Sequence, residues 1–214
     1  MKHHFCLALA CSVAGLSSRA DIVIEGVVTL PPPKAASAAQ ARYQQKSGVV
    51  AAPESPLAVV YLEGTFANAA AAAPAKESVP QKGFQFTRGL VPVQKGTEVE
   101  FPNGDDDYHH VFSYSKTKEF DLGRYRKDEK APSVRFDKPG VVRVGCEIHD
   151  HMRAVVLVLD TPHFARTEAD GKYRLVIKEP VSGRFVLKAW VNERTVREQP
   201  VELKQGATLQ VNFP

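Results

Sequence analysis

Gly140-Val-Val-Arg-Val-Gly-Cys-Glu-Ile-His-Asp-His-Met152 is the stretch on which the reading of this chain turns. Val141 to Cys146 has the β-branched content of a strand, and a second apolar run, Arg153 to Asp160, follows at once. The residues between them therefore read as a loop at one end of a sheet. That loop carries a thiol, an imidazole and a thioether, on Cys146, His149 and Met152. Softness of this kind selects copper over calcium or magnesium, and a thiolate with two imidazoles and a weak axial thioether is the electron-transfer copper arrangement. The loop supplies three of the four donors. The fourth is expected to be a histidine from a sequence-distant strand that reaches the same end.

Tyr108-His109-His110-Val111-Phe112-Ser113 offers it. Alternation along a strand puts His109 and Val111 on one face and His110 and Phe112 on the other. Both faces carry an apolar neighbour, so periodicity alone does not choose between the histidines. Beyond residue 20 the chain holds five histidines, and four of them (His109, His110, His149 and His151) fall in these two segments, which argues against chance scatter. Met152 is one of two methionines, the other being Met1. His151 stays open between an exposed neighbour, a pH-sensitive group and a competing ligand.

Outward from the site, short apolar runs alternate with turn signals: Phe84–Thr87, Leu90–Val93, Thr97–Phe101, Tyr108–Tyr114, Ser133–Phe136, Val141–Cys146 and Arg153–Asp160. This is the texture of an antiparallel β-sandwich, and no long stretch has sustained helical periodicity. Asp21–Leu30 and Leu57–Leu62 add two strands before it. Tyr173–Lys178, Arg184–Val191, Thr195–Leu203 and Thr208–Phe213 add four after it, with a tight turn at Ala169-Asp170-Gly171-Lys172. Residues 31–56 are a low-complexity insert opened by Pro31-Pro32-Pro33, and the alanine-rich 67–83 reads as a linker. Asp105-Asp106-Asp107 lacks the spacing of a calcium loop and reads as a solvated turn. The basic run Lys116, Lys118, Arg124, Arg126 and Lys127 reads as a solvated face.

The N-terminus has the pattern of a secretory signal. Lys2, His3 and His4 precede the apolar run Phe5 to Leu16, and Ser18-Arg19-Ala20 places small residues for cleavage after Ala20. The run is too short to span a bilayer, and no later segment reads as transmembrane. Cys6 and Cys11 lie inside this signal, which leaves Cys146 as the one thiol of an exported chain. Such a chain cannot form an internal disulfide, and metal ligation is what protects a lone thiol in an oxidising compartment. The formal net charge of +4 falls to +2 once Lys2 and Arg19 are removed, too weak a bias for nucleic acid or a membrane surface. There is no Cys-x-x-Cys-His and no Gly-x-Ser-x-Gly, and four protein ligands leave no open position for a substrate, so an enzyme is not expected.

Val99-Glu-Phe-Pro-Asn-Gly-Asp-Asp-Asp-Tyr-His-His-Val-Phe-Ser113, followed by Gly140 to Met152, resembles the cupredoxins of the amicyanin and plastocyanin types. The Cys-x2-His-x2-Met spacing looks like the short ligand loop of amicyanin. In that family the upstream ligand is the first residue of a His-Asn pair. The resemblance therefore implies one mononuclear type 1 copper held by His109, Cys146, His149 and Met152, with His110 standing where the family usually has Asn. The resemblance covers residues 84–160 and implies a Greek-key cupredoxin sandwich.

The outer segments resemble the carboxypeptidase regulatory-like sandwich, in Ile24-Glu-Gly-Val-Val-Thr-Leu30, Pro56-Leu-Ala-Val-Val-Tyr-Leu62, Thr167-Glu-Ala-Asp-Gly-Lys-Tyr-Arg-Leu175 and Ser182-Gly-Arg-Phe-Val-Leu-Lys-Ala-Trp190. The expected organisation is all-β: signal 1–20, one small sandwich built from 21–66 and 161–214, and the copper domain inserted between them. The rival is that the N-terminal strands complete the copper sheet and 161–214 stand apart. The expected function is single-electron transfer in the periplasm, with His149 as the electron port and a c-type cytochrome or a dehydrogenase as partner, as in an amicyanin-like methylamine utilisation chain. Copper trafficking or storage, and a non-redox binding module, are the rivals.

Overall fold

The computed structural model describes residues 20–33, 51, 54–64, 66 and 76–214. The expected signal peptide, apart from Ala20, lies outside these residues, as does most of the expected insert at 31–56. The described residues contain fifteen strands and no helix.

Eight strands surround the site. They are β3 (Lys76–Ser78), β4 (Leu90–Gln94), β5 (Glu98–Glu100), β6 (His109–Ser115), β7 (Lys118–Tyr125), β8 (Ser133–Arg135), β9 (Gly140–Cys146) and β10 (Arg153–Leu159). They make a five-stranded sheet in the order β4-β10-β9-β6-β7 and a three-stranded sheet in the order β3-β5-β8. Period-2 alternation builds the core between them. Val111 and Ser113 point inward from β6, Val142 and Val144 from β9, and Ala154, Val156 and Val158 from β10. Phe101, Val134 and Phe136 meet them from the opposite layer.

The second sandwich draws on both ends of the chain. β1 (Ile22–Val27) and β2 (Val59–Glu63) join β11 (Phe164–Arg166), β12 (Lys172–Ile177), β13 (Gly183–Asn192), β14 (Thr195–Leu203) and β15 (Thr208–Gln210). The sheet orders are β12-β1-β15 and β11-β2-β13-β14. β1 pairs antiparallel with β12 and parallel with β15, while β2 pairs antiparallel with β13 and β11. Among the described residues, neither β1 nor β2 has a ladder to β3–β10. Ile22, Ile24, Leu62, Ile177, Leu187 and Phe213 form the centre of this core.

A third apolar cluster joins the two sandwiches: Leu57, Val59, Leu90, Leu157, Leu159 and Trp190. It explains the nearly unbroken apolar run of β10. Ala154, Val156 and Val158 face one core, while Leu157 and Leu159 face the shared cluster, so both faces of that strand are covered. Arg143 reinforces the junction with a two-pronged pair to Glu193. Glu54 accepts from the Gly89 and Leu90 amides and pairs with Arg166.

Three local expectations change. Residues 76–83 are part of the fold rather than linker: β3 pairs in parallel with β5, and Val79 and Gln81 are fully buried. Phe84–Thr87 is not a strand but a turn, because Phe84 takes a left-handed backbone with φ of 56°. The basic run from Lys116 contains a strand, β7, paired with β6 through a register irregularity between His110 and Phe112. Charged residues are a normal guard on a strand at a sheet edge, which is where β7 lies.

Candidate metal centre

Two strands end at one place. β6 begins with His109 and β9 ends with Cys146, and Val111 lies opposite Cys146 in their ladder. The loop that leaves Cys146 folds back tightly. The Met152 amide donates to the His149 carbonyl at 2.9 Å, and the Glu147 amide donates to the His110 carbonyl at 3.0 Å. This returns His149 to the strand end. Cys146 Sγ lies 3.9 Å from His109 Nδ1 and 3.7 Å from His149 Nδ1, and the two Nδ1 atoms lie 3.2 Å apart. The His110 amide donates to the sulfur at 3.4 Å.

These distances test whether a metal fits. A point equidistant from the three atoms lies about 2.1 Å from each, against the roughly 2.0–2.3 Å that a first-row ion such as zinc keeps from imidazole nitrogen and thiolate sulfur. Among the described residues this trio is the one group of His, Cys, Asp or Glu gathered closely enough to hold an ion. Met152 is fully buried in the same core cluster as Cys146. The donor set is soft and matches copper better than a hard cation.

Asp105 sets the orientation of His109. Its Oδ2 lies 3.1 Å from His109 Nε2. A carboxylate only accepts, so Nε2 carries the hydrogen and Nδ1 presents its lone pair to Cys146 and His149. Two further donors reach the same carboxylate, the Gly83 amide at 2.8 Å and the Phe84 amide at 2.9 Å. Gly83 and Phe84 both have positive φ, 61° and 56°. Successive amides in this conformation form a concave anion-binding nest. Burial pushes the Asp105 carboxyl up, but the Phe84 and Gly83 amides and His109 outweigh it and hold it below the usual carboxylate value.

The imidazoles are tuned toward neutrality. Burial, with a smaller contribution from the neighbouring His109, pushes His149 down to about 4. Burial also lowers His109, partly offset by Asp105. Neutral imidazole is the metal-binding form, so both rings are ready ligands near neutral pH.

The structure brings His109, Cys146 and His149 together and leaves His110 outside. His110 Nε2 lies 2.5 Å from Asp121, and its Nδ1 comes within 2.8 Å of the Glu147 carboxylate without hydrogen-bond alignment. Directly after His109 in β6, this ring bridges β7 and the ligand loop. His151 is no ligand of the trio. Its Nε2 meets the Phe84 carbonyl at 2.9 Å.

One expectation is revised here. Asp105 is not a solvated turn residue: it is 6% exposed and holds three donors. The signal that could have found it is its place four residues before His109, behind Asn103, whose Oδ1 caps the Asp105 amide. His149 is not at the surface. It is 3% exposed, and His109, Cys146 and Met152 are at 0%, 1% and 0%. The Phe84 ring packs edge-on against it, with centroids 5.0 Å apart.

No family model matches the chain, and no curated protein matches it. Among solved structures, a mutant amicyanin in its reduced Cu(I) form is 25% identical over 47% of this chain and 98% of that one, with a TM-score of 0.36. An oxidised amicyanin mutant is 22% identical over 46% of this chain and 92% of that one, also at 0.36. A purple cupredoxin from Nitrosopumilus maritimus is 19% identical over 40% of this chain and 99% of that one, at 0.34.

Proposed function

We propose that this chain holds one mononuclear copper ion through Cys146, His109, His149 and Met152 and carries single electrons between redox proteins. The observation that carries the reading is the sulfur–imidazole triangle, with Cys146 Sγ at 3.7 and 3.9 Å from two Nδ1 atoms whose rings come from separate stretches of chain. Copper bound there would give up one electron as Cu(I) and take one back as Cu(II).

The protein's part is to keep the donors still. His109 is fixed by Asp105, Cys146 by the β6 ladder and the His110 amide, and His149 by the turn closed on Met152. Donors tethered this way need little rearrangement when the charge at the site changes, and low rearrangement favours fast electron exchange. The His110 amide aimed at the sulfur offsets thiolate charge. A reduced donor protein would give one electron, and an oxidised acceptor would take it.

The N-terminal signal pattern supports a periplasmic location with cleavage after Ala20. A dehydrogenase as donor and a c-type cytochrome as acceptor, in a methylamine utilisation chain, fit the amicyanin-like ligand spacing. We read residues 84–160 as a copper domain inserted into a regulatory-like sandwich made from 21–66 and 161–214. The pairing of β1 with β12 and of β2 with β13 supports that reading.

The test is to add Cu(II) to the purified chain and record its visible spectrum. A strong band that disappears in Cys146→Ser supports electron transfer. A colourless protein that takes up only Cu(I) favours trafficking, and no copper uptake leaves a binding module.

A further inference from the structure

Every residue of the proposed copper set is buried, so something must stand between it and solvent. Phe84 packs against both imidazoles. Its ring centroid lies 5.0 Å from that of His149 and 6.0 Å from that of His109, edge-on to both. Its own side chain is half-buried.

The backbone around Phe84 is built for this placement. Among the described residues it is the one non-glycine residue with positive φ, a conformation that bulky side chains rarely adopt. Three contacts hold it there. The Asp105 carboxylate accepts from the Phe84 and Gly83 amides, and His151 Nε2–H donates to the Phe84 carbonyl. Each anchor is tied to the site itself, since Asp105 also orients His109 and His151 sits between His149 and Met152 in the ligand loop. A mere filler of the core would need neither the left-handed backbone nor anchors drawn from both ligand segments.

We propose that Phe84 is the residue that closes the sulfur–imidazole cluster to exogenous ligands. It bars water, small anions and electrophiles from the Cys146 sulfur while the ligand loop holds it in place. The proposal rests on the copper reading only for what the closed site contains. The closure itself is a property of the metal-free chain.

The test uses the full chain with Cys6 and Cys11 replaced by Ser, so that Cys146 is its sole thiol. Metal-free protein is treated with iodoacetamide, and alkylation is followed by mass, with thermal melts alongside. Phe84→Gly removes the ring and keeps the left-handed turn without strain. It is expected to alkylate at least about tenfold faster at an unchanged or higher Tm, since a buried thiol otherwise reacts only through local opening. Phe84→Tyr keeps the ring and is expected to stay within about twofold of the parent. A folded Phe84→Gly that reacts at the parent's rate overturns the proposal, and so does a Phe84→Tyr as fast as Phe84→Gly. If Phe84→Gly does not fold, His151→Ala decides, because it frees the Phe84 carbonyl and leaves the ring. A faster reaction supports the closure, and an unchanged rate overturns it. Copper uptake is scored separately by the visible band. A chain that takes no copper but reacts faster as Phe84→Gly keeps the closure and loses the copper reading, and the opposite pair of results does the reverse.

Discussion

Replacing Asp105 with Asn keeps the size of the side chain and removes its charge. The carboxylate now accepts from three donors, the Gly83 and Phe84 amides and His109 Nε2. An Asn side chain offers one oxygen, and its NH2 must face at least one of those donors. Two charge-assisted bonds are weakened or lost, and one buried donor is left unpaired, which should cost roughly 2–4 kcal/mol. The pH dependence has a definite sign. Asp105 titrates below its ordinary value of 3.8 in the folded chain. Its contribution is therefore complete above that value and is lost as pH falls through the depressed one. Metal-free parent and Asp105→Asn should differ most in denaturant unfolding near neutral pH and approach each other as pH falls below 3.8 through the depressed value. Copper affinity should fall about 10- to 100-fold, because His109 is no longer held with Nδ1 toward the sulfur. A variant within about 0.5 kcal/mol of the parent and equal to it in copper affinity would refute the claim that Asp105 organises the site.

Three further outcomes follow from the same geometry. Metal-free protein should lose stability on acidification from about pH 6.5 to 4, because His149 is depressed to about 4 when folded and the unfolded chain takes the proton first, at up to ~1.4 kcal/mol per pH unit. His149→Gln should flatten that slope in pH-dependent unfolding, and an unchanged slope would assign it elsewhere. Met152→Leu is close to volume-conserving and should cost less than about 1.5 kcal/mol. It should retain the visible band but shift the reduction potential measured by voltammetry, whereas an unmoved potential would remove Met152 from the copper's surroundings. Trp190→Ala should cost about 3–5 kcal/mol by calorimetry, since Trp190 fills the cluster shared by both sandwiches. A loss confined to one of two separate transitions would show that the sandwiches fold independently.

The ligand loop was legible because its signals are local: a strand, a soft donor triplet at short spacing, and another strand. The choice between His109 and His110 was not legible from strand alternation and rested on the resemblance to the cupredoxins, which pointed to His109. Phe112 lies on the outer face of β6, over Gly145 and beside Arg153, and Tyr114 follows it there. An aromatic pair on the outer face makes both faces of the strand look apolar, so alternation could not show that His109 turns inward. Asp105 escaped because its partners are backbone amides more than twenty residues earlier, and amides leave no mark in a sequence. Consecutive aspartates read as solvated when their environment is unknown. β3 was hidden by its length and by the exposure of Lys76 and Ser78. Its position is fixed by Val79 and Gln81, both fully buried beyond its end. Phe84 looked like the start of a strand because aromatic content is a β signal, and the left-handed turn is imposed by the Asp105 carboxylate.

The same contacts that gather the donors also limit how protons can be shared among them. Asp105 leaves His109 Nδ1 as an acceptor, His149 Nδ1 faces it at 3.2 Å, and a sulfur completes the triangle, all shut away from water. Electron-rich atoms crowded in a buried space repel one another unless a proton or a cation sits among them. Burial works against the proton, since it lowers the proton affinity of both rings. Burial therefore disfavours a second proton on either ring and leaves the thiol hydrogen and an imidazole N–H to bridge the cluster in the metal-free chain, a place that a soft cation would take over on binding. Affinity for such an ion would then add to the stability of the folded chain by linkage. On this view the long-range pairing of β6 with β9, the Asp105 nest and the Phe84 cover are not decoration around a ligand set. Together they hold donors in place that would otherwise relax apart, and the two ligand segments carry their chemistry only while that restraint lasts.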